Sequence, residues 1–366
     1  MKINGKNFRS IWFSEEQAGT VKIIDQRKLP FQFEIENLIT VDDCIRAISE
    51  MHVRGAPLIG VTAAYGLYLA LKNIPDNSNS KSFINKTIKN IKASRPTAVN
   101  LEYCLEQSRT AISKVEGIFN KTKIALKTAN ELAENEVNSC KKIGEIGYPI
   151  IEEISKRKDG KVVNILTHCN AGWLACVDYG TATAPIYEAA KRGIKIHVWV
   201  DETRPRNQGS RLTAWELGNQ NIPYTIITDN AGGYLMQKNL VDLILVGSDR
   251  TTKSGDVCNK IGTYLKALAA KDNNVPFYVA LPSSTFDMEI SDGISEIPIE
   301  ERNPDEVKYI EGLVNNKIEK VLLTPVNSSA ANYSFDVTPS RLVSALITEK
   351  GICLPNEDSI KNLIQK

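Results

Sequence analysis

Five short apolar runs in the second half of the chain restrict the fold more than any other feature of the sequence. They span residues 162–167, 194–200, 224–228, 241–246 and 275–281. Segments with helical periodicity lie between them, at roughly 182–192, 212–218, 231–237 and 260–270. Strand-length runs that alternate with helices long enough for a crossover are typical of a parallel sheet. The sequence therefore predicts an α/β fold for this half.

The first part of the chain has a different pattern. Before Gly147 the apolar residues recur mainly at helical spacing, and residues 56–71 form one long apolar segment. Thr40 and Asp43 have the spacing of a capping box, which predicts that a helix begins there. Residues 23–26 are a short extended lead that could be a strand. We predict a smaller, mostly helical domain over residues 1–147 and an α/β domain over residues 148–366.

Composition excludes several classes of protein. The 366 residues include 45 Lys and Arg against 43 Asp and Glu, a net charge of +2, which is too balanced for a nucleic-acid-binding or membrane-surface protein. The chain has no apolar run of 18 residues, and its first residues lack the apolar core of a secretory signal, so we expect a cytoplasmic protein without a membrane segment.

Cofactor and metal signals are also missing from the sequence. The seven cysteines are scattered and contain no C-x-x-C pair, so neither disulfides nor a structural metal are expected. Neither a G-x-G-x-x-G motif nor a G-x-x-x-x-G-K-[ST] motif occurs, which removes the usual cradles for dinucleotides and nucleoside triphosphates. We therefore expect no cofactor.

Polar loops follow the apolar runs, and ligands bind beyond the carboxyl ends of strands in open parallel sheets. Cys169 follows the first run, between His168 and Asn170. A thiol at this position is either a reactive group or a buried inert cysteine, and the residues alone favour neither. His168 is discounted as its base, because adjacent residues of an extended chain point to opposite faces.

Asp249 follows the fourth apolar run. It is either a general acid whose pKa is raised by desolvation or a turn-forming aspartate. Asn259 and Lys260 are predicted to open the next helix, with Asn259 as its cap and Lys260 as a positive charge near a bound anion.

Arg54, Gly55 and Ala56 precede the long apolar segment of the first half. Free backbone N–H groups at a helix start, a glycine and a guanidinium are what a phosphate needs, although the same residues could be a simple helix entry. Arg95, before Pro96, is a second cation at a predicted helix boundary and by itself resembles any surface arginine.

Together, these segments resemble the methylthioribose-1-phosphate isomerase family of methionine salvage. Six separated motifs carry the resemblance, which are RGAP (54–57), THCNAG (167–172), TRP (203–205), QGSRLTAWEL (208–217), GSDR (247–250) and GDVCNKIGTY (255–264). IPIEER (297–302) and FDVTP (335–339) extend it over nearly the whole chain, in order. Ser248 and Cys258 depart from the common family sequence.

The resemblance implies a mostly helical N-terminal domain, a Rossmann-like C-terminal domain and a homodimer, with a sugar phosphate as substrate. It implies catalytic roles for Cys169 and Asp249. The substrate-binding residues that it implies are Arg54, Gly55, Ala56, Arg95, Gln208, Asn259 and Lys260. The expected reaction is an aldose–ketose isomerisation of 5-methylthioribose 1-phosphate to 5-methylthioribulose 1-phosphate.

Two other activities share this architecture. One is a 5-deoxyribose-1-phosphate isomerase, which the catalytic motifs do not distinguish from the methylthioribose enzyme. The other is a non-catalytic, sugar-phosphate-sensing regulatory subunit of the type found in the eukaryotic translation-initiation exchange factor. The presence of Cys169, Asp249 and the 208–217 stretch favours an isomerase over a regulatory subunit.

Overall fold

A computed structural model describes residues 1–15, 19–76, 79–95 and 98–365. The chain forms two compact units. The first consists of Met1–Lys28, Phe33–Lys141 and Trp173–Gly180, and the second of Leu29–Gln32, Lys142–Gly172 and Thr181–Lys366. The domain boundary predicted near Gly147 lies inside the long helix Ile118–Arg157. Two short segments also cross this boundary, because Leu29–Gln32 belongs to the second unit and Trp173–Gly180 to the first.

The first unit begins with short strands and continues as helices. The strands are β1 (Lys2–Ile3), β2 (Lys6–Asn7), β3 (Ile11–Ser14), β4 (Thr20–Ile24) and β5 (Ile35–Leu38). The helices are α1 (Val41–Ser49), α2 (Ala56–Lys72), α3 (Ser80–Ser94), α4 (Val99–Ser113) and α5 (Ile118–Arg157). β3, β4 and β5 form an antiparallel sheet, of which the sequence indicated only residues 23–26.

The start of α1 confirms the predicted capping box. The Thr40 hydroxyl accepts a hydrogen bond from the Asp43 backbone N–H, and the Asp43 carboxylate accepts one from the Thr40 N–H. Every residue of α2 from Ala56 to Leu71 is buried. A helix that is apolar all round has to lie inside a core, and α2 is the central helix of the first unit.

The second unit contains the remaining elements. Its strands are β6 (Val163–Thr167), β7 (Ile196–Asp201), β8 (Tyr224–Ile227), β9 (Leu243–Val246), β10 (Arg250–Thr252), β11 (Val257–Lys260), β12 (Phe277–Ala280), β13 (Phe286–Asp287), β14 (Tyr309–Val314), β15 (Lys317–Leu322), β16 (Phe335–Thr338), β17 (Ala345–Thr348) and β18 (Gly351–Cys353). Its helices are α6 (Thr183–Lys191), α7 (Ala214–Asn219), α8 (Ala231–Gln237), α9 (Thr263–Asp272), α10 (Gly293–Glu296), α11 (Asp305–Lys308) and α12 (Glu357–Ile364).

A seven-stranded sheet organises this unit, with the strand order β18-β17-β12-β9-β6-β7-β8. The five apolar runs of the sequence form β6, β7, β8, β9 and β12, and all of them pair in parallel. β17 adds a sixth parallel strand and β18 an antiparallel edge. The α/β prediction is therefore confirmed for the sheet, while β17 and β18 were missed.

Smaller sheets complete the second unit. β13, β10, β11 and β16 form one sheet, and β14 pairs with β15 as a hairpin. The β10–β11 pair follows β9 directly in the chain, so it is attached at the carboxyl end of the large sheet. Among the described residues, no helix combines the length and the apolar character that crossing a bilayer requires.

Candidate active site

Cys169 and Asp249 follow two strands that are neighbours in the sheet. β6 and β9 pair in parallel with Leu166 opposite Ile244, and the Thr167 hydroxyl donates to the Leu245 carbonyl at 2.8 Å. Neighbouring strands lie about 4.8 Å apart. The segments that carry Cys169 and Asp249 therefore begin at the same edge of the sheet, after adjacent strands. Ligands bind at this edge in folds of this kind.

The backbone of Cys169 is held on both sides. Its N–H donates to the Thr203 hydroxyl at 2.8 Å, and its carbonyl accepts from the Thr213 hydroxyl at 2.6 Å. The thiol lies 3.2 Å from Oε1 of Gln208, and the residue is only 7% exposed. A catalytic and a substrate-binding residue expected from the family resemblance are thus in direct contact.

Positive backbone φ angles concentrate around this loop. Cys169 has φ +62°, Thr203 +64° and Asn207 +55°. Such values are uncommon outside glycine and unfavourable for a β-branched residue, so the surrounding contacts must hold them. Gly209 is required nearby, because a Cβ there would lie 1.7 Å from the Asp201 carbonyl oxygen. Strain stored at the end of parallel strands is typical of a functional site.

The buried carboxylate of Glu216 is hydrogen-bonded to the same loop. Glu216 of α7 is fully buried and accepts hydrogen bonds from the Asn170 amide at 2.8 Å and from the Tyr187 hydroxyl at 3.0 Å. A Cβ on Gly172 would come within 1.8 Å of this carboxylate. The glutamate of the QGSRLTAWEL motif therefore has a structural role, because it binds the loop that carries Cys169; the motif match alone did not reveal this role.

The backbone of Asp249 is fixed by a turn. Its N–H donates to the Cys258 carbonyl at 3.0 Å, where the turn joins β9 to the antiparallel β10–β11 pair, and the residue is half-buried. Burial, followed by the charge of Asp249, raises the pKa of Cys258 to about 12. Cys258 therefore stays a neutral thiol at physiological pH and is not a second nucleophile.

The prediction that Asn259 and Lys260 open a helix is wrong. Both belong to β11, which pairs with β16, and α9 begins only at Thr263. The cap is Gly262, with φ +100°, because the chain turns sharply between strand and helix. Asn259 is buried and donates to the Thr263 hydroxyl at 3.0 Å, while the Lys260 ammonium lies 4.4 Å from the centre of the Phe335 ring.

Arg54, Gly55 and Ala56 lie in the first unit, at the start of α2, and Arg54 is buried. Gly55 has φ +96°, and a Cβ there would lie 2.5 Å from the Ala175 carbonyl oxygen. Packing alone thus demands glycine at this position.

Arg95 also lies in the first unit, at the end of α3, and its backbone N–H donates to the Lys92 carbonyl at 3.3 Å. Pro96 and Thr97 of this motif lie outside the described residues. The family resemblance assigns Arg95 to substrate binding, and that role stays a prediction.

A charged cavity of about 340 Å³ lies beside the Gln208 segment, lined in part by Arg206, Arg302 and Glu306. It contains neither Cys169 nor Asp249. Burial alone would raise the pKa of Glu306, but hydrogen bonds and charges from Arg302, together with the charge of Arg206, outweigh it and lower that pKa to about 2. Arg206 is already paired with Glu306, and Arg302 with Glu306 and Glu300, so we do not assign the substrate to this cavity.

Comparison with known proteins identifies the family to which the chain belongs. Residues 52–355 match the model of the initiation factor 2 subunit family. A methylthioribose-1-phosphate isomerase of Desulfatibacillum aliphaticivorans is 58% identical over 363 residues, covering 99% of this chain and 98% of that protein. A Brucella anthropi protein of the same name is 52% identical over 365 residues, covering 99% of each.

Solved structures show the same similarity. The 5-methylthioribose 1-phosphate isomerase of Pyrococcus horikoshii superposes with a TM-score of 0.82 at 34% identity, covering 98% of this chain and 96% of that one. A structure described as translation initiation factor eIF-2B, subunit delta, from A. fulgidus superposes with a TM-score of 0.80 at 37% identity, covering 98% and 100%. Fold and sequence are therefore similar to proteins carrying either description.

Proposed function

From the membership of this chain in the initiation factor 2 subunit family, and within it in the methylthioribose-1-phosphate isomerases, we infer that it converts 5-methylthioribose 1-phosphate to 5-methylthioribulose 1-phosphate. It is an aldose–ketose isomerase of methionine salvage. The observation that carries this conclusion is identity above one half with isomerases over the full length of the chain. The matching thiol and carboxylate on adjacent strand ends support it.

The substrate dictates what the site has to do. Phosphate on C1 blocks the spontaneous ring opening of a free sugar, so the enzyme has to cleave the bond between C1 and the ring oxygen while the phosphate stays in place. We propose Asp249 as the acid that protonates the ring oxygen when this bond breaks. Its half-buried position on a rigid turn suits a group that has to deliver a proton at one fixed point.

The second step moves hydrogen from C2 to C1. We propose that the hydrogen leaves C2 with its electron pair and joins the electron-deficient C1, while the C2 hydroxyl returns a proton to Asp249 and becomes the ketone. Cys169 would stabilise the charge that develops at C1 and C2. The buried surroundings of Cys169 support this route, because an enediolate formed by proton removal needs solvation that a dry site does not provide.

Deuterated water tests this route directly. Hydride transfer leaves the product without deuterium at C1, whereas proton removal and return through an exchangeable group introduces it. Proton NMR of ketose formed in D₂O measures the difference. Substantial deuterium at C1 would replace the hydride step by an enediol step and would leave the isomerase assignment intact.

The remaining residues are proposed as substrate-binding groups on the family resemblance. Gln208 and Asn259 would position sugar hydroxyls. Both are buried amides of the second unit; Gln208 lies 3.2 Å from the Cys169 thiol, and Asn259 follows Cys258, whose carbonyl accepts the Asp249 N–H. The other proposed contacts, which would hold the phosphate, are Arg54, the backbone N–H groups of Gly55 and Ala56, Arg95 and Lys260.

A single assay tests the assignment. Purified protein is incubated with 5-methylthioribose 1-phosphate, and the ketose is followed by NMR, with protein carrying Cys169→Ser as the control for contaminating activity. Binding of the sugar phosphate without ketose formation would support the alternative of a non-catalytic regulatory subunit. The same assay with 5-deoxyribose 1-phosphate measures the paralogous activity. Because one methylthio group in an apolar pocket contributes only about 1–3 kcal/mol, kcat/KM ratios are needed.

We also propose that the chain acts as a cytoplasmic homodimer and that its architecture is a Rossmann-like catalytic domain with a smaller, mostly helical N-terminal domain divided near Gly147. The large parallel sheet supports the first of these domains. Analytical ultracentrifugation of the purified protein tests the dimer, and a monomeric mass across the assay concentrations would contradict it.

A further inference from the structure

A chain of charged side chains is buried directly behind the thiol loop. Nδ1 of His168 lies 2.9 Å from Oδ2 of Asp201, and the Lys266 ammonium lies 2.8 Å from the same oxygen. The side chains of His168 and Asp201 are inaccessible, and that of Lys266 is 4% exposed. Buried charges are costly unless they are paired and hydrogen-bonded, so an arrangement of this kind needs a reason.

Both ring nitrogens of His168 have a hydrogen-bond partner. Its Nε2 lies 2.8 Å from the Ile261 carbonyl oxygen, which only accepts, so Nε2 carries a hydrogen. Its Nδ1 faces Oδ2 of Asp201, the same carboxylate oxygen that binds the Lys266 ammonium. Each ring nitrogen of His168 therefore faces an oxygen atom.

This network joins the elements that carry the thiol. His168 is the residue before Cys169, at the end of β6, and Asp201 ends β7. The Asp201 backbone carbonyl accepts from the Thr203 hydroxyl at 3.1 Å, and that hydroxyl in turn accepts the Cys169 N–H. Lys266 brings in α9.

A second carboxylate holds the other end of the network. Asp229 accepts the backbone N–H groups of Thr203 and Arg204, both at 2.7 Å, and its carbonyl oxygen accepts from the Lys266 ammonium. The ammonium therefore contacts the last residue of β7 and the loop after β8 at the same time. Removing the ammonium would loosen the contacts of Thr203 with Asp201 and with Asp229. The Thr203 hydroxyl accepts the Cys169 N–H, so the Cys169 backbone would lose support.

We propose that His168, Asp201 and Lys266 form a positioning triad that holds Cys169 in its strained conformation and so sets the rate of the isomerisation step. The proposal rests on the catalytic role of Cys169 proposed above. None of the three contacts the substrate in this assignment. They act through the Cys169 backbone, and the chemical step depends on them because a reacting group displaced by about 1 Å can cost about 100-fold in rate.

The contacts of the triad distinguish it from ordinary packing. In Lys266→Met, the hydrogen bond between His168 and Asp201 remains, so the protein should fold while the tie to Asp229 is lost. In Asp201→Asn alone, the Lys266 ammonium loses its buried carboxylate partner, which should be strongly destabilising. In the double variant Asp201→Asn, Lys266→Met, the unpaired ammonium is gone and the side-chain amide at position 201 can hydrogen-bond to Nδ1 of His168, so folding should recover. Recovery of folding without recovery of turnover is the signature of a positioning role.

The experiment measures kcat, KM and thermal unfolding for Lys266→Met and for the double variant. Lys271→Met, an exposed lysine of the same helix, is the matched control. We expect kcat to fall about 10- to 100-fold in the first two with KM within about twofold, and no change in the control. A folded Lys266→Met variant with wild-type kcat, or one whose loss lies entirely in KM, would overturn the proposal.

Thiol alkylation gives a readout that does not depend on the isomerase assignment. The rate at which iodoacetamide modifies Cys169, read by peptide mass spectrometry, should rise several-fold in Lys266→Met because a released loop exposes the thiol. Cys353, a half-buried cysteine of β18, is the internal reference. An unchanged Cys169 rate would overturn the triad. Absence of isomerase activity in the wild type together with a raised alkylation rate would reject the proposed function and keep the triad.

Discussion

Two strand ends at the same edge of the sheet hold their reactive groups in different ways. The loop after β6 holds Cys169 through side chains from separate segments, including the hydroxyls of Thr203 and Thr213. The turn after β9 holds Asp249 through a backbone hydrogen bond to Cys258 and the register of the β10–β11 pair. The thiol loop is buried and strained, whereas the Asp249 turn is half-buried and regular.

This difference predicts where the protein tolerates substitution. Side-chain anchors can be removed one at a time, so the position of Cys169 depends on residues such as Thr203 that never touch the substrate in our assignment. A backbone register survives most side-chain changes, so the position of Asp249 should depend on few neighbours. Substitutions around the two groups test this comparison.

Replacing the reactive groups themselves should have the largest effect. Cys169→Ser and Asp249→Asn keep size and hydrogen bonding, and each should lower kcat by about 10³-fold or more, because a general acid alone contributes about 10²–10⁴-fold and the thiol acts in the hydrogen-transfer step. Steady-state kinetics with 5-methylthioribose 1-phosphate measures this.

The control for these two variants is Cys353→Ser, which changes a cysteine of β18 away from the carboxyl edge. It should retain wild-type kinetics. A rate near that of the wild type in either reactive-group variant would remove that residue from the mechanism, and the comparison would then describe two structural loops.

Arg54→Ala should have the next largest effect, and in a different parameter. Its proposed target is the phosphate, which stays attached and unchanged throughout the reaction, so binding suffers more than turnover. We expect KM to rise about 10- to 100-fold with kcat within about threefold, since charged hydrogen bonds contribute about 1.5–3 kcal/mol. Arg54→Lys keeps the charge and should lie between Arg54→Ala and the wild type. An unchanged KM in Arg54→Ala would contradict phosphate binding.

The sequence predicts the fold best where hydrophobic periodicity is strong. The runs that form β6, β7, β8, β9 and β12 are bounded by polar loops, and their parallel pairing follows from the helices between them. β17 is buried and equally apolar, but it lies beyond a long stretch of short elements whose pattern resembles loops. Apart from residues 23–26, which overlap the end of β4, the short strands of the first unit were missed, because their few residues mix polar and apolar side chains.

The site is predictable only as far as motifs and strand ends reveal it. That the strands preceding Cys169 and Asp249 are neighbours needs the strand order, which a single sequence does not fix. Lys266 was missed because a lysine on a helix is normally exposed, and only the fold places its ammonium on Asp201. The helix expected at Asn259 failed because asparagine is a good cap by type, whereas pairing with β16 extends the strand through Lys260.

Thr203→Val sharpens the comparison at the thiol loop. Valine matches the shape of threonine but removes the hydroxyl that accepts the Cys169 N–H, and a buried donor left unpaired costs about 1–3 kcal/mol. We expect unfolding free energy to fall by about that amount and kcat to fall about tenfold or more, since the loop loses an anchor. Thr225→Val, an exposed threonine of β8, is the matched control. Wild-type stability and kcat in Thr203→Val would show that the loop is held by other contacts.

Ser248→Ala should have the smallest effect, although Ser248 is the immediate neighbour of Asp249. Its hydroxyl lies 2.9 Å from that of Thr251, which is buried, whereas Ser248 itself is half-buried. The Asp249 N–H keeps its bond to Cys258, because that bond involves only backbone atoms. We expect unfolding free energy within about 0.5 kcal/mol and kcat within about twofold of the wild type. A tenfold loss of kcat in a folded Ser248→Ala variant would show that side chains, and not backbone register, hold Asp249, and the contrast between the two strand ends would disappear.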